Sequence, residues 1–187
     1  VRMRDIHLDE SLFRNYLTGT VLDELLCSYK GLPKGVNYMV IGDPGVGKTT
    51  IILDMLADIR LKNPGVRVLF VSAEMNEIDL AVYVKRFPKF QDIDILFVES
   101  EFDDSCQSHN YHTLTEILDR GWDIVAIDSF YELQGIVKEE ENITQKKAES
   151  MLLSLIKLSI FFGLFWYLFR SFLTWPVYLR THITMCL

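Results

Sequence analysis

Short apolar runs alternate with helical-period stretches through most of this chain. Tyr38-Met39-Val40-Ile41, Val68-Leu69-Phe70-Val71, Ile95-Leu96-Phe97-Val98 and Ile124-Val125-Ala126-Ile127 each read as a strand. Their near-continuous apolar character suits strands buried on both faces, the mark of a parallel sheet. Between them, Ile52, Met55, Leu56 and Ile59 fall on one helical face. Residues 76–87 and 111–120 read as two more helices, the second closed by Gly121 at its C-cap. Asn142 and Gln145 fit a capping box that opens a helix with Ala148, Met151, Leu152, Leu155 and Ile156 on its buried face. Residues 1–15 read as a charged surface arm or short helix, and residues 16–26 as a short helix after a Thr18-Gly19 turn. Gly31-Leu32-Pro33-Lys34-Gly35 is a turn that delivers the chain to the first strand, while residues 100–110 and 131–141 read as loops, the latter mobile. The pattern predicts an α/β fold, a mostly parallel sheet flanked by helices, with four strands readable.

After Leu158 the pattern changes. Residues 159–169 are apolar and rich in aromatics, Arg170 interrupts, and an apolar run resumes at Phe172, with neither amphipathic period nor strand–turn–strand punctuation. Charge changes at the same place. Of the net −7, residues 1–150 carry −10, and residues 151–187 carry +3 and no acid. The expected organisation is therefore a domain over residues 1–158 and a hydrophobic tail over 159–187. Three readings of the tail stand: a frame shift or truncated gene model near Leu158, a membrane-inserting segment, or a divergent core strand and helix. Residues 152–173 are numerous enough to span a bilayer, although they include Lys157 and Arg170.

The 187 residues suffice for one domain with a sizeable core. The acidic body argues against a broad basic surface for nucleic acid. Cys27, Cys106 and Cys186 lack metal or redox spacing, so reduced thiols in a cytoplasmic protein are expected. No signal peptide is legible, and Val1 suits a fragment boundary or a non-standard start codon.

Candidate chemistry centres on Gly42-Asp43-Pro44-Gly45-Val46-Gly47-Lys48-Thr49-Thr50, which matches the phosphate-binding P-loop without a mismatch. Gly42, Gly45 and Gly47 are expected to supply torsions closed to other residues, so that successive amides turn inward on phosphate oxygens. Lys48 suits the β- and γ-phosphates, and the Thr49 hydroxyl suits Mg²⁺. The flanking strand and helix set this apart from an ordinary glycine-rich turn. Asp128 ends an apolar strand, as a Mg²⁺-holding Walker B aspartate would; a turn-forming Asp is the alternative. Glu74 lies just past a strand, on the ligand edge of a parallel sheet, where a carboxylate can activate water. It also suits the acid of a helix N-terminus, and position does not choose between the two.

Together these motifs resemble a RecA-type P-loop ATPase of the RadA, DnaB and KaiC branches. The likeness runs from about Tyr16 to Leu158. Thr18-Gly19, Leu22-Asp23 and residues 31–35 resemble the segment before the P-loop in RadA and KaiC. Val71-Ser72-Ala73-Glu74-Met75 resembles the Ser-x-Glu signature of the second strand, Ile127-Asp128-Ser129 the Walker B strand, and the helix to Lys157 the helix that follows it. The resemblance implies a RecA-like core, incomplete at its C-terminus because the family's sensor strand and basic DNA loop are not legible after Leu158. It implies Glu74 as the catalytic glutamate, ATP and Mg²⁺ as ligands, and a homo-oligomeric ring or filament with a finger residue supplied by the neighbour. It further implies single-stranded or branched DNA as partner in repair, recombination or unwinding. A nucleotide-binding module with little turnover, KaiC-like and regulatory or anchored to a membrane through the tail, is the alternative.

Overall fold

The computed structural model describes Arg2 and residues 15–98, 110–161, 165–171 and 184–186. An antiparallel pair, β1 (Asn15–Tyr16) and β2 (Leu32–Pro33), brackets the short helix α1 (Leu22–Leu26). Then follow β3 (Tyr38–Gly42), α2 (Lys48–Lys62), β4 (Val68–Ser72), α3 (Glu77–Arg86), a 3-10 turn at Pro88–Phe90 and β5 (Asp94–Phe97). The rest is α4 (Asn110–Asp119), β6 (Ile124–Asp128), α5 (Phe130–Glu140), α6 (Gln145–Phe161), β7 (Phe165–Ser171) and β8 (Thr184–Cys186). Strands β3 to β8 form one sheet in the order β5-β4-β6-β7-β3-β8, and every pairing is parallel.

The alternation of side chains along a strand sorts the core into two layers. Val68, Phe70, Ile124 and Ala126 face one side with Ile52, Met55, Leu56 and Ile59 of α2. Leu69, Val71, Val125 and Ile127 face the other with Leu114 of α4, Leu133 and Val137 of α5 and Leu152 of α6. All five residues of β4 and of β6 are buried, which is why their sequences show no polar alternation. Phe70 is fully buried, so truncation to alanine there costs about 3–5 kcal/mol.

Register fixes the working edge. Ser72 pairs with Asp128 and Gly42 with Ser171, so the C-terminal ends of β3, β4 and β6 open on one side. The approach to β3 is held by Asp23, whose carboxylate accepts from the Thr18 amide (2.7 Å) and hydroxyl (2.7 Å) and the Gly19 amide (2.8 Å). Burial alone would raise its pKa. Those bonds, with the Lys30 charge, hold it below the ordinary carboxylate value instead.

Three expectations need correction. Residues 131–141 are not a mobile loop: Phe130, Leu133, Gln134 and Val137 line the buried face of α5, at the spacing one helical stripe requires. The cap of α6 is not Asn142. The Thr144 carbonyl accepts from the Ala148 amide (3.0 Å) and its hydroxyl from the Lys147 amide (3.4 Å), while Asn142 takes a left-handed turn at φ 48. Nor do residues 152–173 form one span, because α6 ends at Phe161 and β7 begins at Phe165. Among the described residues no helix is long and apolar enough to cross a membrane. Beyond Leu158, β7 fills the position between β6 and β3, and β8 adds a strand on the far side of β3. The predicted loop at residues 100–110 and the predicted N-terminal arm lie almost wholly outside the described residues.

Candidate functional site

The loop from β3 into α2 is shaped by two left-handed glycines, Gly45 (φ 80) and Gly47 (φ 92). A Cβ added at either would meet nothing within 4 Å, so torsion rather than crowding demands glycine there. Gly42 is different. Its φ is not in the left-handed region, and a Cβ there would stand 3.0 Å from Val46 Cγ2. Close approach by the loop's own side chain, not an unusual torsion, is the reason for that glycine.

Gly47 caps α2 with no side-chain hydrogen bond, and no acid occupies the helix's first turn. The other helices at this edge are closed. Asn76 and Asp79 build a full capping box on α3, and the Ser129 hydroxyl accepts from the Glu132 amide on α5. The opening amides and positive dipole end of α2 are thus presented to an anion. Lys48 arches back over the loop, donating from Nζ to the Asp43 carbonyl at 2.9 Å.

Thr49 and Asp128 meet across this edge. The Thr49 hydroxyl donates to Asp128 Oδ2 at 2.6 Å. Asp128 is 3% exposed. Burial raises its pKa, opposed by the Thr49 hydrogen bond; the Glu74 charge raises it further and the Lys48 charge lowers it, for a value of about 6.

Glu74 follows β4 in a turn held by Ser72, whose Oγ donates to the Met75 carbonyl (2.7 Å) and accepts from the Met75 amide (3.3 Å). The Ala73 amide donates to the Asp128 carbonyl at 2.8 Å, tying this turn to the end of β6. Glu74 is exposed and lies outside α3, whose first-turn acids are Glu77 and Asp79.

A cleft of about 700 Å³ runs along the loop, within the range of small-molecule sites. Pro44 to Thr50, Glu74, Asp128 and Ser129 line it, so it gathers most of the residues singled out in the sequence; Gly42 and Asp43 lie in the strand end and loop behind. Its outer wall was not foreseen: Asp54 on α2, and Tyr83, Arg86 and Phe87 at the end of α3. Only the apolar cluster that α3 and the Pro88–Phe90 turn share with α2 makes these neighbours of the loop, and no local motif signals it.

Among the described residues, no group of three or more His, Cys, Asp or Glu side chains is placed to hold a metal. Thr49 and Asp128 offer two hard oxygen donors beside the uncapped N-terminus of α2. That set fits Mg²⁺, which keeps several waters and takes its remaining ligands from phosphate.

A family model described as an AAA domain matches residues 24–164, well over half of the chain. The chain belongs to the AAA domain family. The fold of this AAA domain is also similar to that of the KaiC-like protein of the hyperthermophilic archaeon Pyrococcus horikoshii OT3. The TM-score is 0.64 at 20% identity, covering 85% of this chain and 72% of that one. At that identity the likeness speaks for the fold alone. No curated protein matches the chain. Family and fold together support the coarse form of the resemblance, a RecA-like P-loop ATPase domain.

Proposed function

We propose that this AAA domain binds ATP with Mg²⁺ and hydrolyses its β–γ phosphoanhydride bond, releasing the γ-phosphate. The observation that carries the reading is the Thr49–Asp128 contact of 2.6 Å beside an uncapped helix N-terminus. It brings two oxygen donors together where the loop amides would hold a triphosphate.

In this reading the amides of Gly45 to Thr50 bind the phosphate chain, and Lys48 exchanges the Asp43 carbonyl for the β- and γ-oxygens. Thr49 and Asp128 would hold Mg²⁺, which would supply neutralisation of the charge developing on the phosphate oxygens. Glu74 orients a water in line with the γ-phosphorus and takes its proton as the new P–O bond forms and the bond to the leaving ADP oxygen breaks. Asp128 must be ionised to serve, so metal affinity falls as pH drops through about 6.

The finer reading couples turnover to DNA, single-stranded or branched, in a homo-oligomeric repair or helicase-type ATPase. It is supported by the RadA- and DnaB-like motifs around Glu74 and Asp128. A second reading, a KaiC-like regulatory module with little turnover, is favoured by the fold likeness and by the acidic body of the chain. The pairing of β7 between β6 and β3 supports treating the C-terminal region as part of the core rather than as a membrane anchor.

Phosphate release separates these readings. Turnover stimulated by single-stranded or forked DNA, and abolished by Glu74→Gln with ATP binding intact, supports the first. ATP binding without turnover on any DNA supports the second and removes the enzyme claim.

A further inference from the structure

The turn Pro88–Phe90 is fastened to α2 in two ways. Phe90 is 2% exposed and belongs to the same buried cluster as Met55, Leu56 and Ile59. Beside it, Lys89 Nζ reaches Asp54 Oδ1 at 2.6 Å and Asp58 Oδ1 at 2.9 Å, two acids one helical turn apart on α2. The turn also continues α3 rigidly. The Phe87 amide donates to the Tyr83 carbonyl at 2.7 Å, the Phe90 amide to the Phe87 carbonyl at 3.0 Å, and the two phenyl rings lie 5.2 Å apart. Arg86 lies over the Phe87 ring at 5.0 Å.

Asp54 therefore has two neighbourhoods. One carboxylate oxygen is bound by Lys89, and the residue also lines the cleft, as do Tyr83, Arg86 and Phe87. It follows Thr49 by five residues, about 7.5 Å further along the helix axis than the Mg²⁺ end. A triphosphate seated on the loop would send its nucleoside toward this outer part of the cleft.

We infer that Lys89 is a positioning residue for nucleoside recognition: by clamping the Pro88–Phe90 turn to Asp54 and Asp58 it sets the gap between the α2 and α3 walls at the outer end of the cleft. The inference rests on the proposed binding of a nucleoside triphosphate. With the clamp in place, Asp54 presents its remaining oxygen as an acceptor, and Arg86 with Phe87 presents a flat face to a base. Without it, the α3 wall loses its ionic tie to α2, and Asp54 is left as a full charge that disfavours a neutral base. The phosphate cradle, built from β3, the loop and the first turn of α2, does not depend on Lys89.

The clamp and the cradle are separated by comparing two ligands. Calorimetric titration with Mg·ATP and with Mg·tripolyphosphate is carried out on the full chain and on Lys89→Met and Lys89→Arg. Lys89→Met is expected to weaken ATP about tenfold while tripolyphosphate stays within about twofold, and Lys89→Arg to hold ATP within about threefold. If Lys89→Met fails to fold, Lys89→Gln replaces it, since it keeps a polar head but removes the charge that ties the turn to Asp54 and Asp58, and the same split is expected. Equal weakening of both ligands, or no loss for ATP, overturns the inference and makes the triad a stability device. A wild-type chain that binds both ligands equally also overturns it but leaves phosphate binding intact. A wild-type chain that binds neither removes the proposed function as well.

Discussion

The Thr49 hydroxyl donates to Asp128 Oδ2 across 2.6 Å, joining the first turn of α2 to the end of β6. The two residues are 79 positions apart in the chain. They meet because β6 and β3 run parallel on either side of β7, with their C-terminal ends at the same edge. The Asp128 carboxylate is unfavourably placed as an anion, because it is buried and Glu74 adds a second negative charge nearby, and the Thr49 hydrogen bond only partly offsets this.

Asp128→Asn is therefore expected to stabilise the metal-free protein at neutral and alkaline pH. A native pKa of about 6 lies above the unfolded value of 3.8, so the native state binds the proton more tightly. Stability falls as pH rises from about 4 to about 6 and is level beyond. Asn cannot ionise, so its advantage over Asp should grow by about 2–3 kcal/mol between pH 4 and pH 8. Urea midpoints for both chains across that range check it, and a constant difference would refute the assignment.

Asp23 behaves in the opposite sense. Its pKa is depressed by three hydrogen bonds within the Thr18-Gly19 turn, so its contribution is present above the unfolded pKa and is lost as pH falls through the native one. Asp23→Ala leaves two amides and a hydroxyl without their acceptor and is expected to cost about 2–3 kcal/mol at pH 7. The cost shrinks in acid, which thermal unfolding at pH 7 and at pH 3 would reveal.

The glycines of the loop should fail for different reasons. Gly47→Ala imposes a side chain on φ 92 and costs about 1–2 kcal/mol whatever its neighbours do. Gly42→Ala instead crowds Val46 Cγ2, so adding Val46→Ala should recover most of its loss. A double-mutant cycle on unfolding free energy distinguishes the two, and additivity at the Gly42–Val46 pair would contradict the crowding account.

Glu74→Gln keeps the size and polarity of the side chain but removes the carboxylate proposed to take the proton from water. Turnover is expected to fall by about 10²–10⁴-fold with ATP affinity nearly unchanged. Single-turnover phosphate release, measured alongside binding, gives both numbers on one sample. Parallel losses in binding and rate would place Glu74 in ligand binding instead.

The P-loop and its flanking elements were legible because their signals are local. Gly45, Gly47, Lys48 and Thr49 fall within five consecutive positions, and the α2 face of Ile52, Met55, Leu56 and Ile59 repeats at helical spacing. Helix α5 was hidden by composition: Gly135, the run Glu139-Glu140-Glu141 and a buried Gln134 mask the stripe from Phe130 to Val137. Strand β7 was hidden by its position. It lies between two parallel neighbours, and an unbroken apolar run there is indistinguishable by period from a buried helix. The outer wall of the cleft could not be read at all, because Tyr83, Arg86 and Asp54 come to line one cleft only through the apolar cluster that α3 and the Pro88–Phe90 turn share with α2.

The most direct test of the phosphate cradle is calorimetric titration of Mg·ATP into the unmutated chain and into Lys48→Ala at pH 8, where Asp128 is ionised. The unmutated chain is expected to bind at one site, and loss of the Lys48 charge to weaken that binding by at least about a hundredfold. Equal affinity in the two chains would contradict the account.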